Sequence, residues 1–546
     1  MADYLSIIWP EDSHRLAWEE RVGQEFSGSI KRDLNAERIV NAVFARTKKD
    51  KDKLERLFYY PLRDADPISF RLEVMQDIRT IPALFDILTE FSKAIPEIRE
   101  TYAKALENRN PEQDAARVLE AACMYINAAN FFYDSTKDLP IKSRALLRMR
   151  KHFEEVVASE DFKKMSDKAL KLQADLHDAS SFYMAINSNP SGLGILRGTY
   201  DEAESIPGKL IKDADILFRN VQKPNCSIYN SVPTTAMEQK LIECFKEQVP
   251  DVFERLMKFR SKYEDYPFTE EGITEYEFEF YLAYIAFVRQ LEEKGFVFCV
   301  PRVSENGEER VFGVYDLGLA HEVVFERGGN ANDVVGNDFQ ITPDERVLII
   351  TGPNQGGKTT FARSVGLFQV LAQTGCLVAA REASFIIMDK MLSQFPEREN
   401  VGGNKGRLSE EIIRIAEMMK GVTKDTFIIF NESFASARRA DGAELGRQLI
   451  KILLERGCKV LFVTHLYELS PQLSGDPAYK GVASFMAEAV ETEDGSGRRT
   501  YKIIRKTSDG LVFAMDIAKR TGVTYPQIRR LLQERKIYPA NKEANN

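Results

Sequence analysis

Gly352-Pro353-Asn354-Gln355-Gly356-Gly357-Lys358-Thr359 is the stretch of this 546-residue sequence whose residue types and spacing most plainly suit chemistry. It satisfies GxxxxGK[ST]. An apolar run, Val347–Ile350, leads into it, and a helical pattern, Thr359–Gln373, follows. Glycines let successive backbone N–H groups turn inward around phosphate oxygens, and the N-terminus of the following helix adds positive potential. Lys358 is then placed to neutralise the β- and γ-phosphates of ATP, and the Thr359 hydroxyl to ligate Mg2+, with Thr360 carrying the loop into its helix. About 70 residues on, the apolar run Phe427–Phe430 ends in Asn431-Glu432. An acidic pair at such a strand end sets one carboxylate on the Mg2+ shell and the other on the attacking water. Glu432 suits the second role, as general base or water-orienting carboxylate. Asn431 takes the metal position with a neutral amide, which accepts a hydrogen bond from a Mg2+-bound water but adds no charge. Weaker Mg2+ retention and slower turnover are expected, with binding kept. A third apolar run, Val460–Val463, ends in Thr464-His465, from which the imidazole can reach the γ-phosphate.

Such residues need a frame to bring them together. After residue 300 the three short apolar runs alternate with the helical patterns Thr359–Gln373, Ser409–Lys420 and Glu444–Arg456. Buried parallel strands ending in functional loops, with helices on both faces of the sheet, have this texture. Before residue 300 the chain reads mostly helical, most clearly over Ala115–Phe132, Met149–Met184 and Thr274–Leu291, where apolar residues recur every three or four positions. Asn187–Thr235 is broken by Pro190, Gly192, Gly194, Gly198, Pro207 and Pro224, and reads as loops and short strands in a small insertion.

Composition sets the bounds. With 44% hydrophobic and 29% charged residues, 34 Phe and 20 Tyr, the chain is expected to fold. It holds no run of about 18 apolar residues that would span a membrane. Its first residues, MADYLSIIWPEDSHR, lack the basic start and apolar stretch of a secretion signal, so a cytoplasmic protein is expected. The six cysteines stand far apart with no CxxC pair, which suits free thiols and gives no zinc site. A net charge of −8 disfavours indiscriminate coating of nucleic acid. The charge is uneven, however: twelve Lys/Arg stand against four Asp/Glu from Arg498 to the end. Basic runs at Lys48–Lys53 and Arg144–Lys151 suit a solvated face as well as a polyanion.

The segment Ile350–Thr360 resembles the phosphate loop of the MutS family of mismatch-repair ATPases, for which TGPN-x-GGK-[ST]-T is close to diagnostic. The spacing to Glu432, to Asp441-Gly442 and to Thr464-His465-Leu466-Tyr467-Glu468-Leu469 is similar to the family's. Asn337–Ile341 resembles its segment ahead of the first core strand, while Tyr60–Arg63 and Arg71–Val74 resemble the start of its helical core. The resemblance is strong from about 300 to 535 and traceable from about 55 to 300. It implies an α-helical core/lever region followed by an α/β ABC-type P-loop ATPase domain. The divisions expected are an N-terminal helical segment (1–55), the core/lever region (56–300, with the insertion at 187–235) and the ATPase domain with a short helical tail (301–546). It further implies a homodimer in which each ATP lies between the phosphate loop of one subunit and a signature loop of the other, here Asn404–Ser409. Lever helices in such proteins end in clamps that close around duplex DNA.

Several segments depart from the family pattern. Some 55 residues precede the core-like segment, too few for the family's mismatch-reading and connector domains, so reading by an aromatic wedge is not expected. Gly402–Arg407 lacks the usual Ser-Thr pair, and Ser433–Arg439 replaces a Gly/Thr-rich stretch. The insertion at 187–235 is small for a clamp. Asp509–Lys536 resembles the family's helical tail, suited to a dimer contact, a DNA phosphate contact or a solvated end. The implied function is a Mg2+-dependent ATPase, a dimeric switch acting on duplex or branched DNA in repair or recombination. The alternative is a nucleotide-gated scaffold that acts on a protein partner without binding DNA.

Overall fold

The computed structural model describes residues 5–22, 28–47, 50–107, 110–180, 183–185, 194–196, 242, 246–247, 249–268, 273–396, 407–491, 497–507 and 525–534. The chain forms two compact units.

One unit comprises Ile81–Ile141 and Leu146–Phe278 and is helical. Its helices follow α1 (Asp12–Val22), α2 (Gly28–Asp33), α3 (Ala36–Val43), α4 (Lys51–Tyr59) and α5 (Ala65–Thr80) of the other unit. They are α6 (Pro82–Ala105), α7 (Pro111–Thr136), α8 (Arg144–Ala158), α9 (Glu160–Ser180) and α10 (Pro250–Tyr263), with a two-stranded antiparallel ribbon, β1 (Tyr183–Ala185) and β2 (Gly194–Leu196), after α9. Asn110 caps α7 by accepting from the N–H groups of Glu112 and Gln113, and Pro111 sits at the first turn, where its missing N–H is harmless. Helix α7 packs against α6, α9 and α10. Phe91 centres an aromatic core, with ring centroids 4.8 Å from Phe132 and 5.8 Å from Phe278. The single helix expected over Met149–Met184 is instead two. Ser159 breaks it, its Oγ accepting from Phe162 N–H at 3.2 Å, and Tyr183 and Met184 belong to β1. A serine that satisfies an orphan helix donor starts a new helix where the apolar spacing alone carries on. Of the insertion at 187–235, only β2 lies within the described residues.

The other unit comprises Ser6–Thr80, Lys142–Ala145 and Glu279–Asn546. Residues 6–80 thus share a unit with Lys142–Ala145 and the C-terminal half of the chain. Helix α11 (Glu275–Glu292) leads into it, followed by β3 (Arg302–Val303), β4 (Glu309–Val314), α12 (Leu317–Phe325), β5 (Asn337–Ile341), β6 (Val347–Thr351), α13 (Lys358–Thr374), β7 (Glu382–Phe385) and β8 (Lys390–Gln394). The chain continues as α14 (Arg407–Met419), β9 (Thr426–Asn431), α15 (Arg439–Arg456), β10 (Lys459–Val463), α16 (Leu469–Leu473), β11 (Val482–Glu491), β12 (Gly497–Arg505) and α17 (Tyr525–Glu534).

A six-stranded sheet runs in the order β12-β11-β6-β10-β9-β8, parallel except for the antiparallel edge strand β12. Strands β6, β9 and β10 are buried at every residue, as runs of apolar side chains covered on both faces must be. On one face Ile349, Ile428, Phe430 and Phe462 join Ile450 and Leu453 of α15 and Ile415 of α14 in a single core. Helix α13, itself almost wholly buried, packs against β9, β10 and β12. A second sheet, β3-β7-β4-β5, is mostly antiparallel. Arg71 of α5 locks residues 6–80 to the end of α13. Its guanidinium donates to Thr374 O at 3.0 Å and Ile8 O at 3.3 Å and lies 4.5 Å from the Trp9 ring.

Candidate active site

The register of the large sheet brings the three strand ends level. Val463 pairs with Ile350 on one side and with Asn431 on the other, so Gly352, Glu432 and His465 emerge side by side at the carboxyl edge. Loops outside the carboxyl ends of parallel strands are where such sheets bind ligands.

Gly352 turns the chain out of β6 at φ 130°, and a Cβ there would lie 2.7 Å from Ala487 Cβ and 2.9 Å from Ala487 N on β11. Only glycine fits both the dihedral and the space. The loop then runs through Pro353, the exposed Asn354 and Gln355, and Gly356, to Gly357, which opens α13 at φ 90°. Lys358, 3% exposed, turns back into the loop, its Nζ donating to the carbonyls of Gly352 and Pro353 at 2.8 Å each. Burial lowers its pKa to about 8; the charge of Glu432 opposes that shift and the charge of Arg499 adds to it. Tyr467 Oη also donates to Gly352 O, at 3.0 Å, and Arg499 of β12 donates to Gln355 Oε1 at 2.9 Å. Thr360 lies in the first turn of α13 beside them.

Thr359 Oγ1 donates to Asn431 Oδ1 at 3.1 Å, which places the two residues expected at the metal together. Glu432 holds a left-handed backbone, φ 57°, with its N–H on Val463 O at 2.8 Å. Its Oε1 is 2.8 Å from His465 Nε2, and His465 Nδ1 is 3.4 Å from Lys358 Nζ. With Nε2–H donating to the carboxylate, Nδ1 presents its lone pair to the ammonium. The hydrogen bond from His465 holds the Glu432 carboxyl below the usual range, overcoming burial and helped by the charge of Lys358. Lys358, Thr359, Asn431, Glu432 and His465 therefore lie together, joined by these contacts.

Gln355–Thr360 and Glu432 line a cavity of about 640 Å3, together with Asp316, Val323, Val335, Asn337 and Tyr501. Tyr501, at φ 60° on β12, lies against Gly357, and Asn337 holds its strand by accepting from Ile503 N–H at 2.7 Å and donating to Tyr501 O at 3.3 Å. Tyr501, Val335 and Arg499 escaped the sequence reading because nothing in their spacing ties them to the glycine loop. Asn337 and Tyr467 fell within quoted motifs without a role. Of the expected signature loop, residues 402–406 lie outside the described residues, and Arg407–Ser409 begin α14. Asp441 and Gly442 lie in the first turn of α15. The tail 509–536 is described only over α17.

The fold and the site define an α/β domain with a glycine loop, a buried lysine, and a carboxylate–imidazole pair at the ends of adjacent parallel strands. Residues 348–532 match the model of MutS domain V, so the C-terminal part of the chain is MutS-like. Over 224 residues the chain is 30% identical to the DNA mismatch repair protein MutS of Thermotoga neapolitana, an alignment covering 40% of this chain and 27% of that protein. Identity to the protein of the same name from Caldicellulosiruptor saccharolyticus is also 30% over 224 residues, 40% of this chain and 25% of the relative. For Caldanaerobacter subterraneus subsp. tengcongensis it is 30% over 213 residues, 39% and 24%. The chain thus spans about a quarter of the length of the curated relatives it matches. Among the described residues, no helix is long and apolar enough to cross a membrane.

Proposed function

We propose that the chain binds and hydrolyses ATP with Mg2+, and works as a dimeric MutS-like switch whose nucleotide state alters its hold on DNA. The observation that carries this reading is the meeting of Lys358, Thr359, Asn431, Glu432 and His465 beside a cavity that Lys358, Thr359 and Glu432 line. The donors fit the ligand. A buried ammonium beside a glycine turn suits a polyphosphate, and the paired oxygens of Thr359 and Asn431 suit a hard cation or its waters. Gly352–Thr360 would hold the triphosphate, with the backbone N–H groups of the loop and the first turn of α13 turned to its oxygens. Lys358 would exchange its two carbonyl partners for phosphate, which restores the full charge of the ammonium as anions approach. Thr359 and Asn431 would hold Mg2+, which would supply neutralising charge for the phosphates. Glu432, kept ionised by His465, would accept a hydrogen bond from the attacking water and aim it in line. His465 would report the γ-phosphate to Glu432 through its second nitrogen. The relatives carry the name of a DNA mismatch repair protein, which supports DNA as the partner.

A second reading, a nucleotide-gated scaffold for a protein partner, draws support from the surface. In the basic run 144–151, Arg144 is bound to Asp66 and Glu73, and Arg150 donates to the carbonyls of Thr136, Lys137 and Leu139. Tyr525, Ile528 and Leu531 meanwhile stand exposed along α17 at a spacing that suits an apolar contact. Steady-state ATP hydrolysis with and without duplex, mismatched and branched DNA separates the two, with Glu432→Gln as control. Stimulation by DNA that the substitution abolishes supports the first reading. Turnover indifferent to every DNA removes DNA from it and favours the second.

A further inference from the structure

Helix α14 touches the candidate site through a contact that no motif announces. Glu411 Oε1 accepts a hydrogen bond from the backbone N–H of Phe434 at 2.9 Å. Phe434 lies two residues beyond Glu432, and both hold positive φ, 62° and 57°. Non-glycine residues seldom adopt that region, and it persists where the surroundings over-determine it. Ser433 between them is 2% exposed, and its Oγ has no hydrogen-bond partner among the described residues. The turn therefore gains nothing from its own middle side chain and depends on outside ties.

Besides the bond between the Glu432 side chain and His465, three such ties are present among the described residues. Glu432 N–H is held by Val463 O at 2.8 Å. The Phe434 ring is buried in the core that includes Ile415 of α14. The Glu411 carboxylate makes the third, a charge-assisted bond to the backbone of the turn. Glu411 and Ile415 are four residues apart, on one face of α14, so one helix supplies both the carboxylate and part of the apolar seat.

We propose that Glu411 is a positioning residue of this site: it holds the turn 432–434, left-handed at Glu432 and Phe434, and so aims the Glu432 carboxylate. The inference rests on the hydrolytic reading of Glu432 given above. The backbone angle at Glu432 sets the direction in which its side chain leaves the strand end. If the Phe434 N–H is released, the turn relaxes towards ordinary dihedrals and the carboxylate leaves His465. Glutamine at 411 keeps an acceptor oxygen at the same reach, whereas alanine removes it.

The test uses the full chain as wild type, Glu411→Ala and Glu411→Gln. Backbone amide exchange is followed by mass spectrometry over residues 432–437, alongside Mg2+-ATP turnover and binding of a fluorescent ATP analogue. Glu411→Ala is expected to speed exchange in 432–437 and to lower kcat about 10- to 100-fold, the scale of a misplaced catalytic group. Analogue affinity is expected to stay within about 2-fold, since the change lies in orientation and not in phosphate binding. Glu411→Gln is expected to keep most of both properties. Unaltered exchange in Glu411→Ala overturns the proposal, as does faster exchange with kcat intact. It is equally overturned if the glutamine variant falls as far as the alanine variant, or if affinity falls in step with kcat. A wild type that binds the analogue without turnover refutes the hydrolytic reading, and with it the aiming role, while the exchange data still decide whether Glu411 holds the turn.

Discussion

Replacing Lys358 with methionine is expected to stabilise the nucleotide-free protein while destroying nucleotide binding. The amine is 3% exposed, and burial brings its pKa from 10.5 down to about 8. At about 1.4 kcal/mol per pH unit, keeping the buried group charged at pH 7 costs the folded state about 3 kcal/mol relative to the unfolded chain. Against this stand the two hydrogen bonds from Nζ, each worth about 1 kcal/mol net. Neither acceptor is orphaned by the substitution. Tyr467 Oη, at 3.0 Å, still donates to Gly352 O, and Gly356 N–H, at 3.2 Å, to Pro353 O. Methionine matches the stem of lysine and fills the same slot. The balance is a gain of about 1 kcal/mol, read as a melting temperature about 2–4 °C higher. The pH dependence fixes the sign. Between pH 8 and 10.5 the unfolded chain binds more protons at Lys358 than the folded one, so wild-type stability rises with pH across that window. The methionine variant lacks this rise, and its advantage shrinks from pH 8 towards 10.5. Thermal melts from pH 7 to 10, with an ATP-analogue titration expected to show about 100-fold weaker binding, check both halves. A variant that melts below wild type at pH 7, or a difference flat in pH, refutes the reasoning.

Gly352→Ala combines a φ of 130° with a Cβ 2.7 Å from Ala487. It is expected to lose about 2–5 kcal/mol and nucleotide binding together, and wild-type stability in urea unfolding contradicts that. Asn431→Asp places a charge beside the Thr359 hydroxyl, now 3.1 Å from the amide oxygen, and is expected to lower the Mg2+ concentration needed for half-maximal turnover. An unchanged Mg2+ titration removes Asn431 from the metal position. Arg71→Ala deletes a fully buried guanidinium that ties Thr374 and Ile8 together, with an expected loss of about 3–5 kcal/mol. A loss under 1 kcal/mol in urea unfolding would show that the N-terminal segment is held by other contacts.

The candidate site was legible because its chemistry sits at the ends of short, wholly apolar strands. A run such as Val347–Ile350 must be buried on both faces, and the polar residue that follows must then leave the sheet at its edge. Glycine spacing, strand ends and the intervening helices were all local signals of this kind. The second sheet was harder to see. Strand β5 alternates buried and exposed residues over Asn337–Ile341, but five residues of period two between loops are easily overlooked. The break at Ser159 was missed because apolar periodicity crosses it, and capping acts on the backbone.

Local sequence sets the three apolar runs that become β6, β9 and β10, and the lysine, threonine, carboxylate and imidazole that follow their ends. Those properties depend on neighbours a few residues away. Tertiary structure alone decided that Val463 pairs with both Ile350 and Asn431, which sets Lys358, Glu432 and His465 within hydrogen-bonding reach. It also decided that β12, over 140 residues downstream of the glycine loop, lays Tyr501 against Gly357, and that residues 6–80 close on the end of α13 through Arg71. The hold of Glu411 on the turn after Glu432 belongs to the same class. Contacts between distant segments depend on strand register and on the shape left between packed elements, and neither is written in the spacing of any one segment.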